Sequence, residues 1–280
     1  RGITRTGVEL AGREFDLGAY LRIPSYLKTT RSRRIFVAWK EIPTSRSSRA
    51  VAGWHRRVAF GSLRELAVHL ARLARSRVRS LTYAYWPGYD DLCHEVGSKH
   101  ARARRHLLGL DRFLARLAGR LSGTDTLLLV LADHGVVDAP PGHRVDLREV
   151  PGLYGCLATL PSGDARLVHC FVRPSQTARF LTIVRRHLGA AAVCVAGEEL
   201  LRLRLPGPGR PHPALAARIG DFALVAKGNY AFTSSLPGAP TKFNVANHGG
   251  MSAREMLVPM WVIGGKGEGE GPAQGEAGGL

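Results

Sequence analysis

The chain has 280 residues, of which 45% are hydrophobic, and this composition excludes an intrinsically disordered protein. Its formal net charge of +18 would suit a polyanionic partner. However, the basic residues are almost all arginines scattered among Ala, Gly and Leu, so we do not expect nucleic acid as a partner. The positive field favours a small phosphorylated substrate.

Cysteine use and hydropathy exclude two further classes of protein. The four cysteines lie far apart and form no Cys-x-x-Cys pair, which excludes a zinc ribbon or a dense disulfide framework. No apolar stretch reaches the roughly 18 residues of a membrane span, and no signal peptide follows Arg1. We therefore expect no membrane segment and slightly favour the cytoplasm, although a signal upstream of Arg1 would be missing. The sequence does not predict an oligomeric state.

The first half of the chain alternates strands and helices after a basic, irregular segment at 1–32. A Ser62-x-x-Glu65 capping box predicts the start of a helix, and leucines spaced three and four apart predict a second, longer one. The predicted elements are strands at 34–39, 81–86 and 126–132, a helix from Ser62, and a helix at 98–121. This alternation predicts an α/β fold with a mostly parallel central sheet flanked by helices.

The pattern changes after Pro140. Strands at 166–172, 191–196 and 221–226, helices at 175–188 and 198–203, and a loop at 206–213 indicate a small inserted α+β subdomain at about 140–225. Residues 257–263 are predicted to rejoin the main sheet, with Pro259 at an edge or a bulge. We expect a domain over 1–263 and a disordered, Gly-rich tail at 264–280.

The apolar run at 127–131 leads into Ala132, Asp133, His134 and Gly135. Such a run predicts a strand covered on both faces, although its periodicity also fits a buried helical turn. Chemistry in α/β sheets lies beyond the carboxyl ends of strands. Asp133 and His134 are therefore candidate metal ligands. In the alternative interpretation, Asp133 caps a turn and His134 only packs.

Two other segments offer metal ligands. Asp90 and His94 are four residues apart after the strand at 81–86, so on a helix they would project to the same side. Such a pair is more often a surface hydrogen bond. His248 lies in an Asn-His-Gly-Gly segment before the returning strand, where a lone histidine is more often structural than catalytic.

Together the three segments resemble the type I phosphodiesterase and nucleotide pyrophosphatase branch of the alkaline phosphatase superfamily, most closely its bacterial members. That family has Tyr-x-x-x-x-Asp-x-x-x-His, a strand ending in Asp-His-Gly, and a late His-Gly followed by Glu-Met-x-Val-Pro. These motifs occur in the same order at 85–94, 127–135 and 248–259, and the resemblance covers about 25–263. It implies an alkaline-phosphatase-like fold with one zinc ion on Asp90, His94 and His248. Asp133 and His134 would contribute to a second zinc ion.

The resemblance also implies a further metal-binding Asp and a Thr or Ser nucleophile on an N-terminal strand and helix that would precede Arg1. The hydroxyls near the N-terminus do not follow a strand ending in Asp; they belong to Thr4, Thr6, Ser25, Thr29 and Thr30. We therefore assign no nucleophile. We expect an N-terminally truncated chain with little turnover of a phosphodiester.

The function implied is a metal-dependent hydrolase of phosphoric esters that uses two divalent ions, zinc being expected, on a small phosphorylated substrate. One alternative is a catalytically inactive zinc-binding or interaction module of the same fold. Another is an arginine-rich nucleic-acid binder, whose affinity would fall steeply with salt.

Overall fold

A computed structural model describes residues 30–40, 42–51, 53–207, 209–234, 241 and 243–264. The predictions for the basic N-terminus, including Thr4, Thr6, Ser25 and Thr29, and for the Gly-rich tail from 265 lie outside these residues. Within the described part of the chain, no helix is both long enough and apolar enough to cross a membrane.

Strands and helices are short apart from one long helix. The strands are β1 (Arg33–Trp39), β2 (Arg56–Phe60), β3 (Ser80–Tyr85), β4 (Leu127–Leu131), β5 (Val137–Asp138), β6 (Arg144–Asp146), β7 (Ser162–Asp164), β8 (Leu167–Cys170), β9 (Ala192–Ala196), β10 (Phe222–Ala226), β11 (Ala231–Thr233), β12 (Ala246–Asn247) and β13 (Met260–Gly264). The α-helices are α1 (Arg46–Val51), α2 (Leu63–Ala74), α3 (Gly88–Val96), α4 (Ala101–Leu121), α5 (Leu153–Cys156), α6 (Thr177–Ile183), α7 (Gly197–Arg202), α8 (Leu215–Ile219) and α9 (Ala253–Met256).

The chain divides into two compact units, of which the first takes its described residues from 30–87, 110–128 and 263–264. It contains a parallel sheet in the order β2, β1, β3, where Val37 lies opposite Val58 on one side and Ala84 on the other. The central strand is buried on both faces, as expected for a parallel sheet. The mixed helix and strand content with parallel pairing confirms the predicted fold class.

Aromatic rings build much of the core of this unit. Trp39 meets Trp86 edge to face with centroids 5.2 Å apart, and Phe60 stacks on Trp86 at 6.0 Å. Helix α2 packs Leu66 into the same cluster. Its start was correctly predicted, since Ser62 caps it by accepting a hydrogen bond from the Glu65 amide.

The second unit comprises 88–109 and 129–262 and contains an antiparallel sheet in the order β7, β8, β10, β9. Leu224 on β10 lies opposite Val168 and Cys194, and Phe180 from α6 is fully buried against this sheet. Strands β8, β9 and β10 and helices α6 and α7 of this unit lie where strands and helices were predicted after Pro140. The helix predicted at 175–188 begins as α6 and ends in a π-helical turn at Val184–Leu188.

Two short ladders complete the second unit. Strands β6 and β11 pair in parallel, whereas β5 and β12 pair antiparallel with Val137 opposite Asn247. The second ladder matters most for function, because it joins the segment after His134 to the segment before His248.

The prediction that 127–131 is buried on both faces is wrong. Leu127, Leu129 and Leu131 are 64%, 52% and 59% exposed. Among the described residues, β4 pairs only with β13 and not with the parallel sheet. An apolar run indicates that a strand favours burial, but neighbouring strands must supply the cover. In the part of the chain that the structure describes, residues 257–263 likewise pair only with β4, and Pro259 directly precedes β13, which is an edge strand of this two-stranded sheet.

Candidate metal centre

Helix α3 presents two different faces to its surroundings. Cys93 is fully buried with Ala103 and Ala246, and Tyr89 packs on this cluster. Asp90 and His94 lie one position further along the helix and are only partly buried. Because they are one turn apart, their side chains meet, and His94 Nε2 lies 3.1 Å from Asp90 Oδ2.

The ring of His94 is held by the backbone of another strand. Its Nδ1 lies 2.7 Å from the carbonyl oxygen of Ala246 on β12. Since a carbonyl can only accept, Nδ1 carries the proton and donates it, and Nε2 is left facing Asp90. This is the arrangement in which a metal-binding histidine is usually fixed by its second nitrogen.

The ladder of β5 with β12 brings the other two histidines together. His134 lies three residues before β5, and His248 follows β12 directly. Their rings stack with centroids 3.7 Å apart, and the rings of His94 and His248 lie 5.2 Å apart. Three imidazoles from three separate segments therefore form one cluster.

Asp90, His134 and His248 each contribute a potential ligand atom, and these atoms all lie within 4.8 Å of one another. His248 Nε2 is 4.0 Å from Asp90 Oδ2. The resemblance grouped His94 with Asp90 and His248 and placed His134 with Asp133. In the structure both His94 and His134 adjoin Asp90 and His248.

Asp133 lies at the rim of this cluster. Its side chain is 62% exposed, and its Oδ1 lies 3.8 Å from His134 Nε2. The strand β4 that precedes it is exposed as well, so Asp133 is open to solvent where the other four candidate ligands are partly buried.

The charge balance of the cluster suits a cation. Oδ1 of Asp90 is buried and has no hydrogen-bond partner in the described part of the chain. Burial lowers the pKa of His248, and repulsion from His134 lowers it further, so its imidazole favours the neutral form that binds metal. A buried carboxylate oxygen without a partner, next to the imidazole of His248, fits a divalent ion with nitrogen and oxygen ligands.

The neighbouring thiol and phenol do not offer ligands. Burial raises the pKa of Tyr89 to about 12 and also raises the pKa of Cys93. Both groups are therefore protonated at neutral pH, and a protonated thiol is a poor metal ligand. The usable donors are the carboxylates and imidazoles.

Three residues near the site were not predicted from the sequence. Asp164 on β7 approaches Gly249, where a Cβ on the glycine would lie only 2.5 Å from the Asp164 Cβ. Arg166 and Glu255 form a buried ion pair, 1% and 2% exposed, beside the loops of His134 and His248. Glu255 had two signals, its place in the Glu-Met-x-Val-Pro motif and the Ser252-x-x-Glu255 capping box, but no role was assigned to it. Arg166 had none.

Comparison with known protein families found one match. The sequence profile of the family "Type I phosphodiesterase / nucleotide pyrophosphatase" matches residues 6–251. No curated protein matches the chain in sequence.

Solved structures share the fold at low sequence identity. Murine ectonucleotide pyrophosphatase/phosphodiesterase 5 has a TM-score of 0.56 and 14% identity over 83% of this chain and 60% of its own. An inactive form of that enzyme has been solved with AMP. Phosphonoacetate hydrolase from Sinorhizobium meliloti 1021, in complex with phosphonoformate, has a TM-score of 0.61 and 17% identity over 93% of this chain and 72% of its own. The chain thus spans about 60% of the length of the murine protein.

Proposed function

The chain belongs to the type I phosphodiesterase / nucleotide pyrophosphatase family of the alkaline phosphatase superfamily, and from this membership we propose that it is a metal-dependent hydrolase of phosphoric esters. We propose Asp90, His94, Asp133, His134 and His248 as its metal ligands. The proposal rests on one observation: His134 and His248 lie next to Asp90, whose buried Oδ1 has no hydrogen-bond partner among the described residues.

Zinc is the metal we propose, because imidazole and carboxylate are its usual ligands together with thiolate. Five candidate side chains exceed the four positions of a tetrahedral zinc site, which favours two ions. Such ions would stabilise the negative charge on a phosphoryl group and lower the pKa of a bound nucleophile.

The protein's own residues prepare the site in two ways. The hydrogen bond from His94 to the Ala246 carbonyl fixes the ring and keeps Nε2 directed at Asp90. The stacking of His134 on His248 disfavours two charged imidazoles and keeps nitrogen lone pairs available. Both features fix the orientation of the imidazoles, which limits the reorganisation that metal binding requires.

The substrate class we propose is a small phosphate or phosphonate ester. The murine neighbour was solved with AMP and the bacterial neighbour with phosphonoformate, which supports a small phosphorus-containing ligand. The net charge of +18 would attract such anions to the protein.

The test combines metal binding with turnover. We expect calorimetric titration with Zn²⁺ to show two bound ions, and zinc-loaded protein to bind AMP. It should release little nitrophenolate from bis-p-nitrophenyl phosphate, because no nucleophile is assigned in this chain. Binding of both zinc and AMP should be lost in Asp90→Asn. Failure of the wild-type protein to bind zinc would contradict the metal assignment. Zinc binding without AMP binding would favour the inactive zinc-binding module instead.

A further inference from the structure

The carboxylate of Glu255 holds the loop that carries His248. Its Oε1 accepts a 2.8 Å hydrogen bond from the Gly250 amide, and its Oε2 accepts one of 2.5 Å from the Ser252 hydroxyl. A Cβ at Gly250 would lie 2.8 Å from Oε1, so a side chain there would displace the Glu255 carboxylate. The loop therefore folds around the Glu255 side chain.

The main chain of the same residue holds the loop that carries His134. The Gly135 amide donates a 2.8 Å hydrogen bond to the Glu255 carbonyl oxygen. A Cβ at Gly135 would lie 2.0 Å from the Arg254 carbonyl oxygen, a backbone atom, so glycine is required here. Glu255 thus contacts both histidine loops, one through its side chain and the other through its backbone.

Arg166 is the counter-ion of the buried Glu255 carboxylate. Its Nε and Nη2 donate to the two Glu255 oxygens at 2.7 and 2.9 Å. Its remaining contacts go to the carbonyl oxygens of Tyr230 and Gly228. A buried carboxylate is costly without a counter-ion, so Arg166 keeps Glu255 ionised and able to accept. Arg166 lies between β7 and β8 and so connects the antiparallel sheet to both loops.

From these contacts we propose that the Arg166–Glu255 pair is the positioning clamp of the metal centre, which sets the spacing of His134 and His248. This inference rests on the proposed function. Neither residue is one of the proposed metal ligands. The pair acts through the loops after His134 and His248.

A second ion pair in the same unit provides a matched control. The Asp146 side chain is 4% exposed and pairs with Arg148 at 2.6 Å. It also accepts hydrogen bonds from the Arg148 amide and the Thr241 hydroxyl, and in the described part of the chain no hydrogen bond joins it to either histidine loop. Breaking this pair should cost stability without altering the metal centre. A purely structural role for Arg166 and Glu255 predicts the same behaviour for both pairs.

The test compares Glu255→Gln, Arg166→Lys and the control Asp146→Asn by calorimetric titration with Zn²⁺. We expect the first two variants to raise the Kd for zinc by about 10- to 100-fold, because loss of a residue that orients a metal ligand typically weakens metal binding by this factor. The Kd of the control for zinc should stay within about twofold of the wild-type value, a much smaller change than in the other two variants.

A double variant separates positioning from stability. Replacing a buried ion pair with apolar residues often preserves folding, so Arg166→Met with Glu255→Met should restore thermal stability. We expect its zinc affinity to stay low, because the hydrogen bonds to Gly250 and Ser252 are gone. Recovery of wild-type zinc affinity in this folded variant would overturn the clamp.

A metal-free measurement keeps the inference separate from the proposed function. The imidazole Cε1–H resonances of His134 and His248 report their stacking in the apo protein. We expect both to shift in Glu255→Gln and to stay in place in Asp146→Asn. Absence of zinc binding by the wild type would contradict the proposed function alone, whereas unchanged resonances in a folded Glu255→Gln would contradict the clamp.

Discussion

The imidazole rings of His134 and His248 lie face to face, with their planes inclined by only 18°. Two imidazolium ions at a centroid distance of 3.7 Å would repel each other, so the pair favours at least one neutral ring. Neutral imidazole is also the form that binds a metal ion. The stacking is therefore consistent with a pair of ligands and argues against two independent surface histidines.

Replacing either ring should weaken zinc binding. We expect His134→Ala and His248→Ala each to raise the Kd for zinc by at least about 100-fold, since each removes one nitrogen donor. The measurement is calorimetric titration with Zn²⁺. His169→Gln is the control, because His169 also bonds a backbone carbonyl, that of Ile219, but lies outside the cluster. Equal loss of affinity in the control would mean that the effect comes from general unfolding.

Helix α3 offers a matched pair of aspartates. Asp90→Asn removes the charge that faces His94 and His248, so we expect zinc affinity to fall by about 100-fold or more. Asp91 is adjacent and exposed, and Asp91→Asn should leave zinc affinity unchanged. Competition with a chromogenic chelator would measure both. If the two variants behave alike, the assignment of Asp90 as a ligand fails.

The sequence alone predicted the parts of the site that are local in the chain. The spacing of Asp90 and His94 and the Asp-His-Gly segment after β4 require only a helix and a strand to be located. The helix α4 was also predicted, because its leucines recur with helical periodicity.

Features that depend on distant segments could not be predicted. Strand β7 is Ser-Gly-Asp and wholly exposed, so it has no hydrophobic alternation to reveal it. The partnership of Arg166 with Glu255 joins residues far apart in sequence, and nothing in the pattern marks a lone arginine as buried. The burial of β4 was predicted wrongly for the same reason, since its cover depends on which strands lie beside it.

The ion pair of Asp146 makes stability depend on pH. Hydrogen bonds from Arg148 lower the pKa of Asp146 from 3.8 to about 2, although burial opposes this shift. A lowered pKa means that the folded state favours the carboxylate, so the stabilisation is present above pH 3.8 and is lost as the pH falls through about 2. The shift corresponds to about 2 kcal/mol in the free energy of unfolding.

We therefore expect Asp146→Asn to lose about 2 kcal/mol relative to the wild type at neutral pH, and this difference to shrink as the pH approaches 2. Urea unfolding at several pH values measures it. Asp125→Asn, at an exposed position, should show a much smaller difference. A difference for Asp146→Asn that stays constant down to about pH 2 would contradict the charge-based explanation.

Two glycines should respond to alanine in opposite directions. Gly135→Ala would place a Cβ 2.0 Å from the Arg254 carbonyl oxygen, so the loop of His134 must move away from α9. We expect lower thermal stability together with weaker zinc binding. Gly109 lies within α4 with no atom within 4 Å of its ideal Cβ, and Gly109→Ala should stabilise the helix by about 1 kcal/mol. Thermal unfolding and zinc titration of both variants are the measurements. Wild-type zinc affinity in Gly135→Ala would show that the close approach to α9 does not set the position of His134.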